Sequence, residues 1–283
     1  MTPGVHIGVG LRPPHYAEVL EDPPPVELFE VISENFLGLR AGGGGRPLEA
    51  LEQVRALRPV RLHGVSMNLG SVDSLSETYL GRLRSLAERL EPECVSDHVC
   101  WTGEGGENLH DLLPLPWTEE ALDHLSARVH HAQQRLGRRL VLENPSSYVA
   151  YRHSTMAEWE FLGELARRTG AGLLLDVNNV FVTARNHGFP PERFLDGLPP
   201  AAVAQYHLSG HDDSGPLRID THDREVCLEV WALFRHAVRR FGPRPTIVEW
   251  DDRLPPLSTL LDEAHRARAV LKETLDAAVA LAG

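Results

Sequence analysis

The sequence predicts an α/β fold, a closed (β/α)8 TIM barrel that runs as one domain over residues 1–283. Three observations lead there. Eight short β-branched or apolar runs recur along the chain, and most are separated by stretches with apolar residues three or four apart. Strand and helix alternating in this way build a parallel sheet with crossover helices, and eight such units within 283 residues fit the length of a barrel. Most of the runs also end in His, Asp or Glu, and strand ends are where a barrel gathers its functional groups. An open doubly wound sheet is the alternative, but no GxGxxG turn supports a dinucleotide-binding version of it.

The elements can be taken in order. The first strand is expected over Val5–Leu11 and the second over Leu28–Ile32. The Gly42–Gly45 run that follows lacks the Lys-Ser/Thr pair of a phosphate cradle and is expected to be a flexible loop. Val60–Leu69 forms the third strand, and Ser74 with Glu77 is expected to open the next helix as a capping box. Cys94–Trp101 is the fourth strand. Thr118, followed by Glu119 and Glu120, opens a helix that Gly137 closes. Leu140–Pro145 is the fifth strand, and Thr155 with Glu158 is expected to cap a helix that ends at Gly170. The remaining strands are Gly172–Val177, Val203–Leu208 and Thr246–Trp250, with amphipathic helices over Glu225–Arg240 and Ser258–Ala280.

Composition narrows the function classes. The formal net charge is -12, and the Arg138-Arg139 and Arg239-Arg240 pairs are short, which argues against nucleic-acid and anionic-membrane partners. The three cysteines, Cys94, Cys100 and Cys227, are odd in number and form no CxxC, as expected of a chain in a reducing, cytoplasmic compartment. The N-terminus has no basic segment followed by an apolar one, and no run of about 18 apolar residues predicts a membrane span.

The chemistry should lie in a series of histidines and acids. His63, His98, Glu143, Asp176 and His207 fall in or at the end of strands three to seven, and Glu249 ends strand eight. Asp220 and His222, in IDTHDR, lie in the loop after strand seven. Any one strand histidine is more often part of the core than a ligand. Taken together, however, buried carboxylates are costly without a cation, and histidine with carboxylate suits iron, zinc or manganese. Asn144, Asn178 and Asp97 are candidate partners of the ligands. Glu34 and Asn35 end strand two at the same mouth, and His15, His110, His187 and His211 lie in loops that could reach it. His124, His130, His131, His153, His236 and His265 read as surface residues on or near helices.

The order of these groups, with Asn179 three residues after Asp176, resembles the trinuclear site of endonuclease IV-like barrels. That resemblance implies a first metal on His63, His98 and Glu143, and a second on Glu143, Asp176, His207 and Glu249. A third would take Asn179, Asp220 and His222. The zinc nucleases have histidine where Asn179 stands, and an amide is a weaker ligand, so the third metal is expected to be the most labile.

A closer resemblance covers nearly the whole chain. IGVGLR, FEVISENF, HGVSMNLGS, SDHVCW, LENPSSYV, LLLDVNNVFV, YHLSGH, IDTHD and IVEWDD look like the multinuclear non-haem iron-dependent oxidases of methanobactin and bufferin biosynthesis. ENPSSY and NHGFP are most similar to the bufferin branch. This resemblance implies two or three irons with a mixed-valent Fe(II)/Fe(III) pair, and dioxygen as co-substrate. The substrate would be a cysteine-containing, ribosomally made precursor peptide, brought by a small peptide-binding partner protein. Glu143, Asp176 and His207 would be the catalytic residues, and the product a thiooxazole or an oxazolone with thioamide. Two other functions compete, a metal-dependent phosphodiesterase and a non-catalytic peptide-binding barrel stabilised by metal. The charge and Asn179 count against the first, and dioxygen uptake would exclude the second.

Overall fold

The computed structural model describes residues 6–38 and 45–282. Its parallel strands are β1 (Ile7–Gly10), β2 (Leu28–Ile32), β3 (Val60–His63) and β4 (Val95–His98), followed after a hairpin by four more. The hairpin is β5 (Trp101–Glu104) with β6 (Glu107–Leu113), and the later strands are β7 (Val141–Glu143), β8 (Gly172–Asp176), β9 (Val203–Leu208) and β10 (Thr246–Val248). The barrel closes in the order β1-β10-β9-β8-β7-β4-β3-β2, so its eight strands lie in sequence order around the ring. The helices are α1 (Tyr16–Glu21), α2 (Gly45–Leu57), α3 (Glu77–Leu90), α4 (Glu119–Leu136), α5 (Glu158–Thr169), α6 (Val177–His187), α7 (Pro191–Gly197), α8 (Leu228–Phe241) and α9 (Leu257–Ala282). The predicted (β/α)8 barrel is therefore the observed fold.

Most of the apolar core lies between strands and helices. Along α8, Val230, Trp231, Phe234, Ala237, Val238 and Phe241 are buried at helical spacing. Phe234 packs edge-on against Tyr206 of β9 at 5.5 Å, and the Tyr206 hydroxyl donates to the Gly242 carbonyl at 2.8 Å, which ties the helix end to the strand. Inside the barrel the filling is partly polar. Glu30, Arg61, His63, Ser96, His98, Gln205 and His207 are all buried. Barrel interiors are ordinarily filled by layers of branched apolar side chains, so this polar column marks where the fold departs from a purely structural one.

Several expected boundaries shift. The helix expected to open at Ser74 begins at Glu77, because Ser76 is extended and accepts the Tyr79 amide proton. Thr155 likewise does not cap α5. Ala157 holds that position, and Glu160 accepts its backbone N–H at 2.9 Å. Thr118, Gly137 and Gly170 cap as expected, both glycines with left-handed φ. Cys94–Trp101 is two strands rather than one, with Trp101 opening the antiparallel hairpin. The third strand stops at His63, well short of Leu69. Val5 and Gly42–Gly44 lie outside the described residues, and Gly45 begins α2.

Candidate metal centre

Six strands deliver acids and imidazoles to one end of the barrel. His63 ends β3, His98 ends β4, Glu143 ends β7 and Asp176 ends β8. His207 lies one residue before the end of β9, and Glu249 follows β10 directly. The parallel register sets them side by side, with His98 opposite Glu143 and Asp176 opposite His207.

Two groups of ligand atoms share Glu143, and His63 also falls with His207 and Glu249 in a third that links them. Ligand atoms of His63, His98 and Glu143 lie within 4.8 Å of one another, as do those of Glu143, Asp176, His207 and Glu249. Glu143 Oε2 is 3.2 Å from His63 Nε2 and 3.3 Å from His98 Nε2, while its Oε1 is 3.6 Å from His207 Nδ1. The same carboxylate therefore turns one oxygen to each group. The rings of His63 and His207 stand 5.2 Å apart.

Each imidazole is held by its other nitrogen. His98 Nδ1 faces the Gly64 carbonyl at 3.1 Å, and a carbonyl can only accept, so Nδ1 carries the proton and Nε2 offers its lone pair to the pocket. His63 Nδ1 pairs with Ser96 Oγ at 2.9 Å. His207 is turned the other way, with Nε2 2.7 Å from Glu30 Oε1 and Nδ1 3.0 Å from Glu249 Oε1. His222 Nδ1 contacts Asp251 Oδ2 at 3.0 Å, and Arg12 in turn donates to Asp251. The expected partners act differently. Asn144 brackets the backbone of Asp176, accepting from its N–H and donating to its carbonyl. Asn178 donates to Asp220 and contacts His211. Asp97 accepts the backbone N–H groups of Met67 and His98, so it orders the chain around the ligands without touching an imidazole.

The protonation pattern follows from burial and neighbours. Burial pushes the Glu143 carboxyl well above its usual range against the pull of His207, and Glu249 and Asp176 add to the push. Asp176 rises to about 7, mainly through burial. Burial also drives His98 down to about 4 and His63 well below its ordinary value. Burial opposes a charge on His207 too, but Glu249, Glu30 and Glu143 outweigh it and raise this group well above the ordinary imidazole value. Burial pushes Glu30 up as well, but His207, His63 and Gln205 together bring it down to about 2.

The residues suit a cation. Glu143 Oε2, Asp176 Oδ2 and Asn179 Oδ1 are buried and have no hydrogen-bond partner. Such oxygens are costly to bury unless a cation compensates them. The donor set is imidazole and carboxylate, which suits divalent first-row metals.

The remaining expected residues sit close by. His222 Nε2 is 2.7 Å from Asp220 Oδ1. Asn179 uses its amide nitrogen on the Asn144 carbonyl, leaving Oδ1 free. His222 also groups with Glu249 and Asp251 within 4.8 Å, an arrangement the sequence reading did not include. Glu30 was missed as well, although a lone carboxylate in the apolar strand LFEVI was a usable signal. Of the residues expected in loops, His15 is buried against the Pro255 carbonyl, while His187 ends α6 and contacts Ser147 and His110 lies exposed on β6. Glu34 accepts from the Val65 N–H and the Tyr79 hydroxyl beside β3.

Residues 6–272 match the protein family described as "RiPP precursor modification enzyme MbnB/TglH/ChrH". A UPF0276 protein of Anaeromyxobacter sp. (strain Fw109-5) is 55% identical over 263 residues, covering 93% of this chain and 92% of the relative. A UPF0276 protein of Caulobacter vibrioides (strain NA1000 / CB15N) is 52% identical, covering 93% and 92%. Among solved structures, an L-ribulose 3-epimerase superposes with a TM-score of 0.63 at 13% identity, over 99% of each chain. A xylose isomerase-like TIM barrel protein from Mycobacterium smegmatis, in complex with magnesium, gives 0.62 at 13% identity, over 96% of this chain and 98% of that one. At such low identity these structures speak to the barrel alone. The family match and the relatives span nearly the whole chain, and it belongs to the MbnB/TglH/ChrH family of enzymes that modify ribosomally made precursor peptides.

Proposed function

We propose that this protein is a multinuclear non-haem iron oxidase that uses dioxygen to modify cysteine residues of a ribosomally made precursor peptide. The observation that carries the reading is the pair of buried ligand groups joined through Glu143. In this reading His63, His98 and Glu143 hold one iron, and Glu143, Asp176, His207 and Glu249 hold the second. Asn179, Asp220 and His222 hold a third and weaker one. Bound iron would supply coordination positions for the soft cysteine thiolate and the redox capacity to use dioxygen. The chain's own part is placement. His63 and His98 are kept neutral by burial and directed by Ser96 and the Gly64 carbonyl, so both remain competent ligands at neutral pH. Glu143 spans both groups with one oxygen on each side. Free, buried Cys94 and Cys100 accord with a reducing, cytoplasmic setting, and a small peptide-binding partner protein and a bufferin-like precursor complete the proposal.

The test is anaerobic loading with ferrous iron, followed by dioxygen and a cysteine-containing precursor peptide from the same genome, with and without a peptide-binding partner protein. Peptide-dependent dioxygen uptake with a mass change at cysteine is expected. Metal-dependent phosphodiester cleavage without dioxygen uptake, or iron binding with no reaction of the peptide, overturns the reading.

A further inference from the structure

Beneath the proposed ligands, a second set of polar side chains crosses the barrel interior. Arg61 of β3 donates through Nη1 to Gln205 Oε1 of β9 at 2.6 Å. Gln205 Nε2 donates to Glu30 Oε2 of β2 at 2.6 Å. Glu30 Oε1 lies 2.7 Å from His207 Nε2. All four residues are buried, and Arg61 is anchored at its far side by Glu93 at 3.1 Å.

The order of donors and acceptors is forced from Arg61 as far as Glu30. A guanidinium has only donors, so the Gln205 oxygen must face Arg61 and its NH2 must face Glu30. An ionised carboxylate has only acceptors, so Glu30 can take the Gln205 N–H on one oxygen and a further N–H on the other. Gln205 Nε2 also stands 2.9 Å from His207 Nε2, and its second N–H would suit a bare ring nitrogen there, but that nitrogen's lone pair would then face the Glu30 carboxylate oxygen 2.7 Å away. A proton on His207 Nε2 removes that repulsion, and in the singly protonated ring it leaves Nδ1 free on the side of Glu143 and Glu249. A metal binds only an unprotonated imidazole nitrogen.

We propose that Glu30 is a positioning residue, oriented by Arg61 through Gln205, that fixes the His207 proton on Nε2 and so presents Nδ1 to the metal. The proposal rests on the reading that His207 is a ligand. Glu30→Gln keeps the shape but replaces one acceptor with a donor. Either its NH2 meets that of Gln205, or it faces His207 Nε2 and drives the proton to Nδ1. Adding Gln205→Glu restores the sequence. Arg61 then donates to the new carboxylate, the amide at position 30 donates to that carboxylate's second oxygen, and its own oxygen accepts from His207 Nε2–H.

The experiment measures ferrous iron and zinc binding by chelator competition in the native chain, Glu30→Gln, the double variant and His207→Ala. One of the metals shared by Glu143 should bind ~10–100-fold more weakly in Glu30→Gln and recover in the double variant, since disturbing a ligand's partner has effects of that size. Recovery by a swapped pair is not expected of a merely space-filling role. Native affinity in Glu30→Gln, or no recovery in the double variant, overturns the proposal. His207→Ala separates the two ideas. If it loses no metal, the ligand reading fails. If it loses one while Glu30→Gln loses none, only the positioning role fails. Nitrogen NMR of the zinc-loaded native chain, labelled at histidine, needs no variant. A His207 proton on Nε2 supports the proposal, and zinc on Nε2 with the proton on Nδ1 overturns it.

Discussion

Glu143 is the residue on which most depends, because both candidate metal groups meet at its two oxygens. Glu143→Gln keeps the volume and removes the charge. We expect the variant to fold, to lose activity and to weaken two metals together, which metal analysis alongside circular dichroism will show. Two tightly held irons with normal turnover would contradict the bridging role. The strand-end ligand candidates could be picked out from the sequence because they lie at or near the ends of apolar runs, whereas Glu30 offered only a lone carboxylate within such a run and Asp251 offered no signal. Glu30 acts only through Gln205 and His207, and its partner Gln205 lies 175 residues away. Asp251 meets His222 and Arg12 only once the ring has closed.

At the scale of the element, the turn after β3 is a tight point beside the ligand candidates. A Cβ on Gly64 would sit 2.3 Å from Asp97 Oδ2 and 3.1 Å from the Tyr79 hydroxyl. The same Gly64 carbonyl orients His98. Gly64→Ala should cost ~1–3 kcal/mol, as overpacking does, and should weaken the metal bound by His63 and His98 more than the other. Denaturant unfolding with metal titration checks both effects, and equal weakening at the two sites would argue against the local mechanism. Element boundaries were legible where pattern and cap agree, as at Leu28–Ile32, Val203–Leu208, Thr118 and Gly137. They were not legible where a second serine two residues on made the better cap, or where the mainly exposed hairpin strand offered no buried face to read.

For the whole molecule, the pocket makes stability depend on metal and on pH. Without metal, the raised carboxyls of Asp176 and Glu143 and the raised imidazoles of His207 and His222 favour the folded state most when protonated. A raised folded-state value means that this contribution is lost as pH rises, for Asp176 through about 7. His63 and His98 are lowered and act in the opposite sense, but only below their ordinary 6.5. Between pH 6.5 and 8 the metal-free protein should therefore lose melting temperature, while the metal-loaded protein, whose ligands are already deprotonated, should not. Thermal scans with and without chelator will test this, and a gap that narrows toward pH 8 would contradict it.

Asp176 ends β8 and is also the N-cap of α6, where its Oδ1 accepts the Asn179 N–H at 2.6 Å while Oδ2 is left to the pocket. One carboxylate thus serves two employers. Asparagine would satisfy the helix but bring no charge to a cation, and glutamate would bring the charge but reach past the helix start. The usual conservative exchanges are therefore closed from both sides at the position where strand passes directly into helix.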